Sequence, residues 1–529
     1  MIEEGKTEGW LRLPINTLQP WATFNNVSLN GIKVGPQPGH EDRGSTVIAC
    51  QELHATDAAP LMIVPRDLVL SLERVQEHAK TDKDFRAVLE ALGEFGRNPR
   101  GAILSFLLMQ NFIACPSTTG KRGVTSPFTE YIKFLPLELL PTFWTEAERE
   151  LLTGTTLYSA VNAKLKSLYR EFENLRSATS KISWCAESWW DEIDGLISFD
   201  DWLQVDAMYR SRALEFPGIG DCMAPCIDMA NHSSGDATMA IYEVDNDGNA
   251  LLLLREGKDV RINDEITITY GDNKGACEML FSYGFIEDEM ESAKELFLHL
   301  PLPEDDPLAR AKAAVADTAP GFKVFEHGQV IDWEGDYVWL LCVNEEDGLE
   351  FKVQRTIDGD REIKAFWKEE VLSEVKAFKS LLQADPMWEV FHLRAVSLLQ
   401  DRVASQLQAL YGSEDEVNAT PHGEGTSIRD RPWHLSQRLR TLEAGLLEKA
   451  YAHFEDLVST PYHHSFPAGI ASVAGILRVG SAFANACARN WSLHKAKPFA
   501  LISGLMTKIY KRTSLDALQG WTIETVNLI

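Results

Sequence analysis

Over the first seventy residues apolar and polar positions exchange in short runs broken by glycine and proline. Residues 27–34 (Val-Ser-Leu-Asn-Gly-Ile-Lys-Val), 45–49 (Ser-Thr-Val-Ile-Ala) and 61–65 (Leu-Met-Ile-Val-Pro) predict strands of a few residues each. From about residue 82 to 212 the period lengthens. Residues 102–113 form a nearly unbroken apolar run, and Leu157, Val161, Leu165, Leu168 and Phe172 recur at the spacing of one helix face. Thr145 and Glu148 stand three apart ahead of Leu151-Leu152, the pattern of a capping box that opens a helix. Alternation returns at 238–244, then comes the turn Asp245-Asn-Asp-Gly248 and a second run at 250–254. Beyond Pro303 the pattern is mostly helical, at 371–382, 388–410 and 435–454, with a polar tract at 412–431 that predicts a disordered loop. The pattern predicts an α+β protein: a β-rich part interrupted by a long helical insertion, followed by a mostly helical C-terminal part.

Composition narrows the picture. The 529 residues are 45% hydrophobic with 14 Trp and 24 Phe, ample for packed cores and for more than one domain. A net charge of −27 argues against nucleic acid as a direct partner, since phosphate binding needs a basic face, and favours a basic protein partner such as a ribosomal or other Lys-rich protein. The apolar runs at 102–115 and 466–477 fall short of the roughly 18–20 residues that span a bilayer, so no membrane association is expected. The first ten residues lack the basic and apolar regions of a secretory signal, and the 8 cysteines are scattered. Both point to the cytoplasm, the nucleus or both, with a monomer favoured. Cys222 and Cys226 are four apart, but no second pair stands at ligand spacing, so no metal is expected.

Three segments carry candidate chemistry. Residues 224–235 (Ala-Pro-Cys-Ile-Asp-Met-Ala-Asn-His-Ser-Ser-Gly) end in an Asn231-His232 turn. Residues 264–272 (Asp-Glu-Ile-Thr-Ile-Thr-Tyr-Gly-Asp) predict a strand closed by Tyr270. Residues 280–286 (Leu-Phe-Ser-Tyr-Gly-Phe-Ile) supply Tyr283. In this order and spacing they closely resemble the SET-domain protein methyltransferases, in the branch typified by the Rubisco large-subunit lysine methyltransferase. Residues 131–136 and 143–155 look like segments of the same branch. The resemblance covers roughly residues 20–300 and implies a SET domain there, with a pseudoknot and the helical insertion at about 82–212. It implies that 301–529 is a helical substrate-binding domain. The cysteine-rich zinc segment of many histone-directed members is missing, which favours a non-histone substrate.

The resemblance implies S-adenosyl-L-methionine as cofactor and lysine of a protein as acceptor. A free lysine has a pKa of about 10.4, so the site must desolvate the amine beside the positive sulfonium and aim its lone pair. The resemblance assigns that aiming to Tyr270, with Tyr283 shaping the amine's channel. Asn231 and His232 match the cofactor-binding Asn-His pair, and Arg212 matches an arginine that clamps the cofactor's carboxylate, with Arg210 the competing choice two residues away. In the first cofactor loop, Arg43, Gly44 and Ser45 would offer backbone contacts; Thr46 stands where the family usually has a second glycine. The rival readings are a SET scaffold that binds partners without turnover and a histidine-directed enzyme.

Overall fold

The computed structural model describes residues 1–39, 44–57, 59–118, 122–302, 306–355 and 361–459. Residues Met1–Gln383 and Ala395–Ser459 form one compact unit, and Ala384–Arg394 belongs to a second. The expected division near residue 300 therefore runs inside a single unit.

The β part follows the predicted runs, with one break. Residues 27–34 split at Gly31, whose φ of +70° turns the chain. That backbone conformation favours glycine, and a side chain there would also have to displace the ends of Gln51 and Leu53. Ser28–Leu29 pairs with Met62–Val64 in a four-stranded antiparallel sheet completed by Ala250–Leu254 and Ala240–Val244. Ile32–Pro36 instead forms a hairpin with Ser45–Ala49.

The helical insertion centres on Pro99–Ala114. Asn98 accepts the N–H of Gly101 at 2.7 Å and Pro99 occupies the first turn, which fixes where the helix starts. Every residue from Gly101 to Phe112 is buried, because helices Leu72–Thr81, Pro127–Phe134 and Phe199–Arg212 pack around it. That surround explains a run with no polar face. Its polar exceptions have partners: Gln110 Oε1 accepts Ser126 N–H and Oγ–H at 3.2 and 3.0 Å, and Asn111 donates to the Leu107 carbonyl at 2.8 Å. The capping box at Thr145 and Glu148 forms as expected.

The C-terminal part departs from the sequence reading in two ways. It opens with two three-stranded antiparallel sheets, Glu295–His299 with Gly321–His327 and Val330–Glu334, and Leu349–Arg355 with Arg361–Trp367 and Glu370–Leu372. Helices Val375–Gln383, Trp388–Gly412 and Asp430–Ser459 then follow. The tract 412–431, expected to be a disordered loop, is folded. It holds the short helix Glu414–Asn418, and Val417 and Ile428 pack on Leu151. Its polar groups find fixed partners: Ser413 Oγ donates to the Thr153 carbonyl at 2.9 Å, and Arg429 forks both oxygens of Glu148 at 2.7 Å. Burial alone would raise the Glu148 carboxyl, but Arg429 and the Thr145 N–H outweigh it and hold it at about 2.

Candidate active site

Tyr270 lies where three stretches of chain cross. Residues 264–269, predicted as a strand, join no named sheet. They run extended between two neighbours: Ile266 N–H donates to the Val47 carbonyl at 2.8 Å, and Ala49 N–H to the Asp264 carbonyl at 3.0 Å. On the other side Ile268 N–H donates to the Asn231 carbonyl at 2.9 Å and Ser233 N–H to the Ile268 carbonyl at 3.0 Å, a parallel bridge of His232 with Ile268. The β-branched residues favour the extended backbone. This threading places Tyr270 against the Asn231-His232 turn.

The aromatic groups then converge. The Tyr270 ring stacks on His232 with centroids 5.1 Å apart and lies 4.5 Å from the Tyr283 ring. Tyr283 ends the helix Ala276–Tyr283, which Gly284 closes in the left-handed conformation at φ 77°. Tyr270 N–H donates to His232 Nδ1 at 2.9 Å, and the Tyr270 hydroxyl donates to the Ala230 carbonyl at 2.8 Å. Burial raises the Tyr270 phenol well above its ordinary pKa, so it remains a phenol. With its proton committed to Ala230, the oxygen presents lone pairs to an incoming N–H or polarised C–H group.

A cavity of about 290 Å³ opens beside Tyr270, with Arg212, Tyr242, Ile268, Tyr283 and Lys274 in its wall and the acidic residues Glu215, Asp221 and Asp228 beside them. Asp228 is the most unusual of these. Its Oδ1 accepts the Tyr131 hydroxyl, while its buried Oδ2 has no hydrogen-bond partner. Burial, against the pull of Arg212, lifts this carboxyl to about 6. Lys274 folds over Gly271, whose φ is +131°, and pairs with Glu278; burial lowers its pKa, but Glu278 and Tyr283 together outweigh it and keep its ammonium charged.

The other expected site residues fall in different places. Arg212 lines the cavity, whereas Arg210 is turned away, donating to the Phe281 carbonyl at 2.9 Å and Thr142 Oγ1 at 3.2 Å. Arg212 is not a free fork, however. Its Nε donates to Glu138 at 2.8 Å and its Nη1 to the Asp228 carbonyl at 3.0 Å. Glu138 keeps the guanidinium charged despite burial, so a clamp on a second carboxylate requires Glu138 to share it. Asn231 Nδ2 donates to Glu265 Oε1 at 2.7 Å. Gly44, at φ +82° with open space where a side chain would stand, and Ser45 lead into the strand that flanks residues 264–268; Arg43 lies outside the described residues. Thr46 is buried opposite Gly35 with its hydroxyl unpartnered.

Comparison with known proteins follows this geometry. No protein-family model matches the chain. It is 27% identical over 409 residues to SET domain-containing protein 8 of Schizosaccharomyces pombe, spanning 76% of this chain and 87% of that protein. It is 28% identical over 209 residues to the chloroplastic Rubisco large-subunit N-methyltransferase of Pisum sativum, covering 36% of this chain and 40% of that one. A fructose-bisphosphate aldolase-lysine N-methyltransferase of Arabidopsis thaliana is 26% identical over 200 residues, again 36% and 40% of the two lengths. Among solved structures, the SET domain of LSMT bound to methyllysine and AdoHcy superposes with a TM-score of 0.58 at 18% identity, covering 84% of this chain and 93% of that one. Rubisco LSMT bound to AdoMet gives 0.56 at 17% identity, covering 84% and 92%. The chain has the SET fold and resembles the Rubisco methyltransferase in both sequence and fold.

In this SET fold the crossing of residues 264–269 past 231–233 is the implied pseudoknot. Sequence reasoning missed the acidic residues around it: Glu138 on Arg212, Glu265 on Asn231, and Glu287 beside His232. Each stands far along the chain from its partner, so no local pattern marked them. The buried cysteines Cys222 and Cys226 are free thiols.

Proposed function

We propose that the protein is an S-adenosylmethionine-dependent protein-lysine N-methyltransferase that acts on a non-histone protein. The observation that carries this reading is the Tyr270 hydroxyl, fixed by the Ala230 carbonyl beside a cavity walled by tyrosines and carboxylates. The cavity chemistry suits cations. An acidic and aromatic lining, with Asp228 Oδ2 lacking a partner, favours a positive sulfonium and an amine over an anion. Bound S-adenosylmethionine supplies a methyl group on positively charged sulfur. Asn231, the backbone of Gly44 and Ser45 and the edge of Arg212 would hold it, Tyr270 would aim the amine, and Tyr283 would flank the amine's path. The alternatives, a histidine acceptor or a scaffold without turnover, find no specific support in this geometry. The net charge of −27 supports a basic protein partner, met in the cytoplasm or nucleus by a monomer. Incubation of the protein with methyl-labelled cofactor and cell extract, followed by mapping of the labelled residue, tests the reading. Lysine labelling upholds it, histidine labelling changes the acceptor, and no labelling favours the scaffold.

The cofactor site gives a separate prediction. Asn231→Ala is expected to weaken S-adenosylmethionine binding by about 1–3 kcal/mol, the range for deleting a buried polar partner. Arg212→Ala should do comparable damage, because it also releases Glu138 and the Asp228 carbonyl. Arg210→Ala should spare affinity and lower the melting temperature, since its partners are Phe281, Thr142 and Asp206. Calorimetric titration with parallel melting curves checks this, and reversed arginines would refute the assignment.

A further inference from the structure

The His232 side chain is fully buried and makes two kinds of contact. Its Nδ1 accepts the Tyr270 N–H at 2.9 Å, so that nitrogen carries no proton. Its Nε2 lies 3.4 Å from Glu287 Oε1 and 3.2 Å from Ser234 Oγ. Ser234 spends its own hydroxyl proton on Glu287 Oε2 at 2.7 Å, leaving the serine oxygen as an acceptor. Both groups facing Nε2 are therefore acceptors, and the neutral ring must carry its proton there. Burial holds the His232 pKa below its ordinary value, which keeps the ring neutral; Lys294, Asp272 and Glu287 are the charged groups around it.

We propose that Glu287 is a positioning residue for this site. By consuming the Ser234 proton and facing Nε2, it fixes the His232 tautomer that receives the Tyr270 backbone, and so sets where the Tyr270 hydroxyl stands. Without Glu287 the Ser234 hydroxyl is free to donate to Nε2. The proton then moves to Nδ1, where it opposes the Tyr270 N–H. The residue is held by the C-terminal part of the same compact unit. Arg438, on the helix Asp430–Ser459, donates to the carbonyls of Glu287, Asp288 and Met290 at 2.8, 2.6 and 3.1 Å, and Arg431 donates to that of Gly284 at 3.3 Å. The C-terminal helix thus fixes the loop that carries the carboxylate. The role in turnover rests on the methyltransferase reading above, whereas the tautomer does not.

The test begins with the wild-type protein, ¹⁵N-labelled at its histidine rings, with His232 assigned by its absence in His232→Asn. Long-range NMR should find Nε2 protonated and Nδ1 bare; a proton on Nδ1 overturns the proposal. Glu287→Leu should shift the proton toward Nδ1 and lower kcat by roughly tenfold or more with KM for the protein substrate unchanged, as expected for a small misplacement of a reacting group. Adding Ser234→Ala to Glu287→Leu removes the competing donor and should restore part of kcat. A purely structural loop would make the double variant worse, and that result also overturns the proposal, as does a Glu287→Leu protein with wild-type tautomer and turnover. If Glu287→Leu does not fold, the wild-type tautomer decides. If the wild-type protein transfers no methyl group, the functional reading fails while the tautomer measurement still stands.

Discussion

Tyr270→Phe is expected to remove nearly all methyl transfer while the protein folds and binds S-adenosylmethionine much as before. The ring, which stacks on His232 and packs on Tyr283, is retained. Only the oxygen is lost, and with it a lone pair fixed in direction by the bond to the Ala230 carbonyl. That lone pair matters most when the amine must be aimed and the methyl group is in flight, so its loss raises the barrier with little ground-state cost. Removal of one preorganised polar group typically costs roughly 10²–10³-fold. The freed Ala230 carbonyl should lower stability by only about 1 kcal/mol. Single-turnover transfer on the mapped substrate, with cofactor affinity measured alongside, is the deciding experiment. Near-normal transfer would take Tyr270 out of the mechanism. The same change at Tyr283 should be milder, because that hydroxyl lies beside Lys274 and not against the threaded backbone.

How much of this was legible in the sequence depends on range. The capping box at Thr145 and the strands at 240–244 and 250–254 are local, and alternation or spacing displayed them directly. The Pro99–Ala114 helix was legible as an apolar run, although only its surround explains why no face is polar. The threaded residues 264–269 were legible as extended chain but not as a sheetless crossing, since threading is a property of where other segments lie. Of the strands between Gly321 and Leu372, Leu349–Arg355 was hidden because most of its side chains are exposed and show no alternation. The tract 412–431 read as disordered because its charges had no visible partners; the one that orders Arg429 is Glu148, some 281 residues away. Separation from their partners in sequence likewise hid Glu287 and Glu138, while Tyr270, Tyr283, Asn231 and His232 were marked by motif and are brought together.

Glu443→Gln should abolish a loss of stability that the wild-type protein suffers as pH rises. Glu443 lies fully buried on the helix Asp430–Ser459 and caps the start of Thr156–Thr179, a helix whose own N-cap Thr155 accepts no N–H of the first turn because its hydroxyl is turned to the Leu152 carbonyl at 2.7 Å. It accepts Thr156 N–H at 2.9 Å, with the Thr156 hydroxyl at 2.5 Å. A carboxylate at a helix N-terminus is ordinarily favoured. Here burial wins over Thr156 and Arg440 and lifts the carboxyl from 4.5 to about 7. Because the folded state holds this proton more tightly than the unfolded chain, its contribution is complete below pH 4.5 and is lost as pH rises to about 7. The loss should amount to about 3 kcal/mol. Glutamine reproduces the protonated acid: its carbonyl accepts Thr156 N–H, its amide donates to the hydroxyl, and it does not titrate. Glu148, held at about 2, titrates below this window and leaves the comparison undisturbed. Urea unfolding of both proteins between pH 5 and 8 should therefore show the Gln variant increasingly the more stable. A gap that does not change with pH would show that Glu443 is ionised throughout. The junction matters to the site because Cys277, on the helix that ends in Tyr283, lies against the same Glu443 and Thr156. Charging this carboxylate therefore acts on a junction that also supports the helix carrying Tyr283.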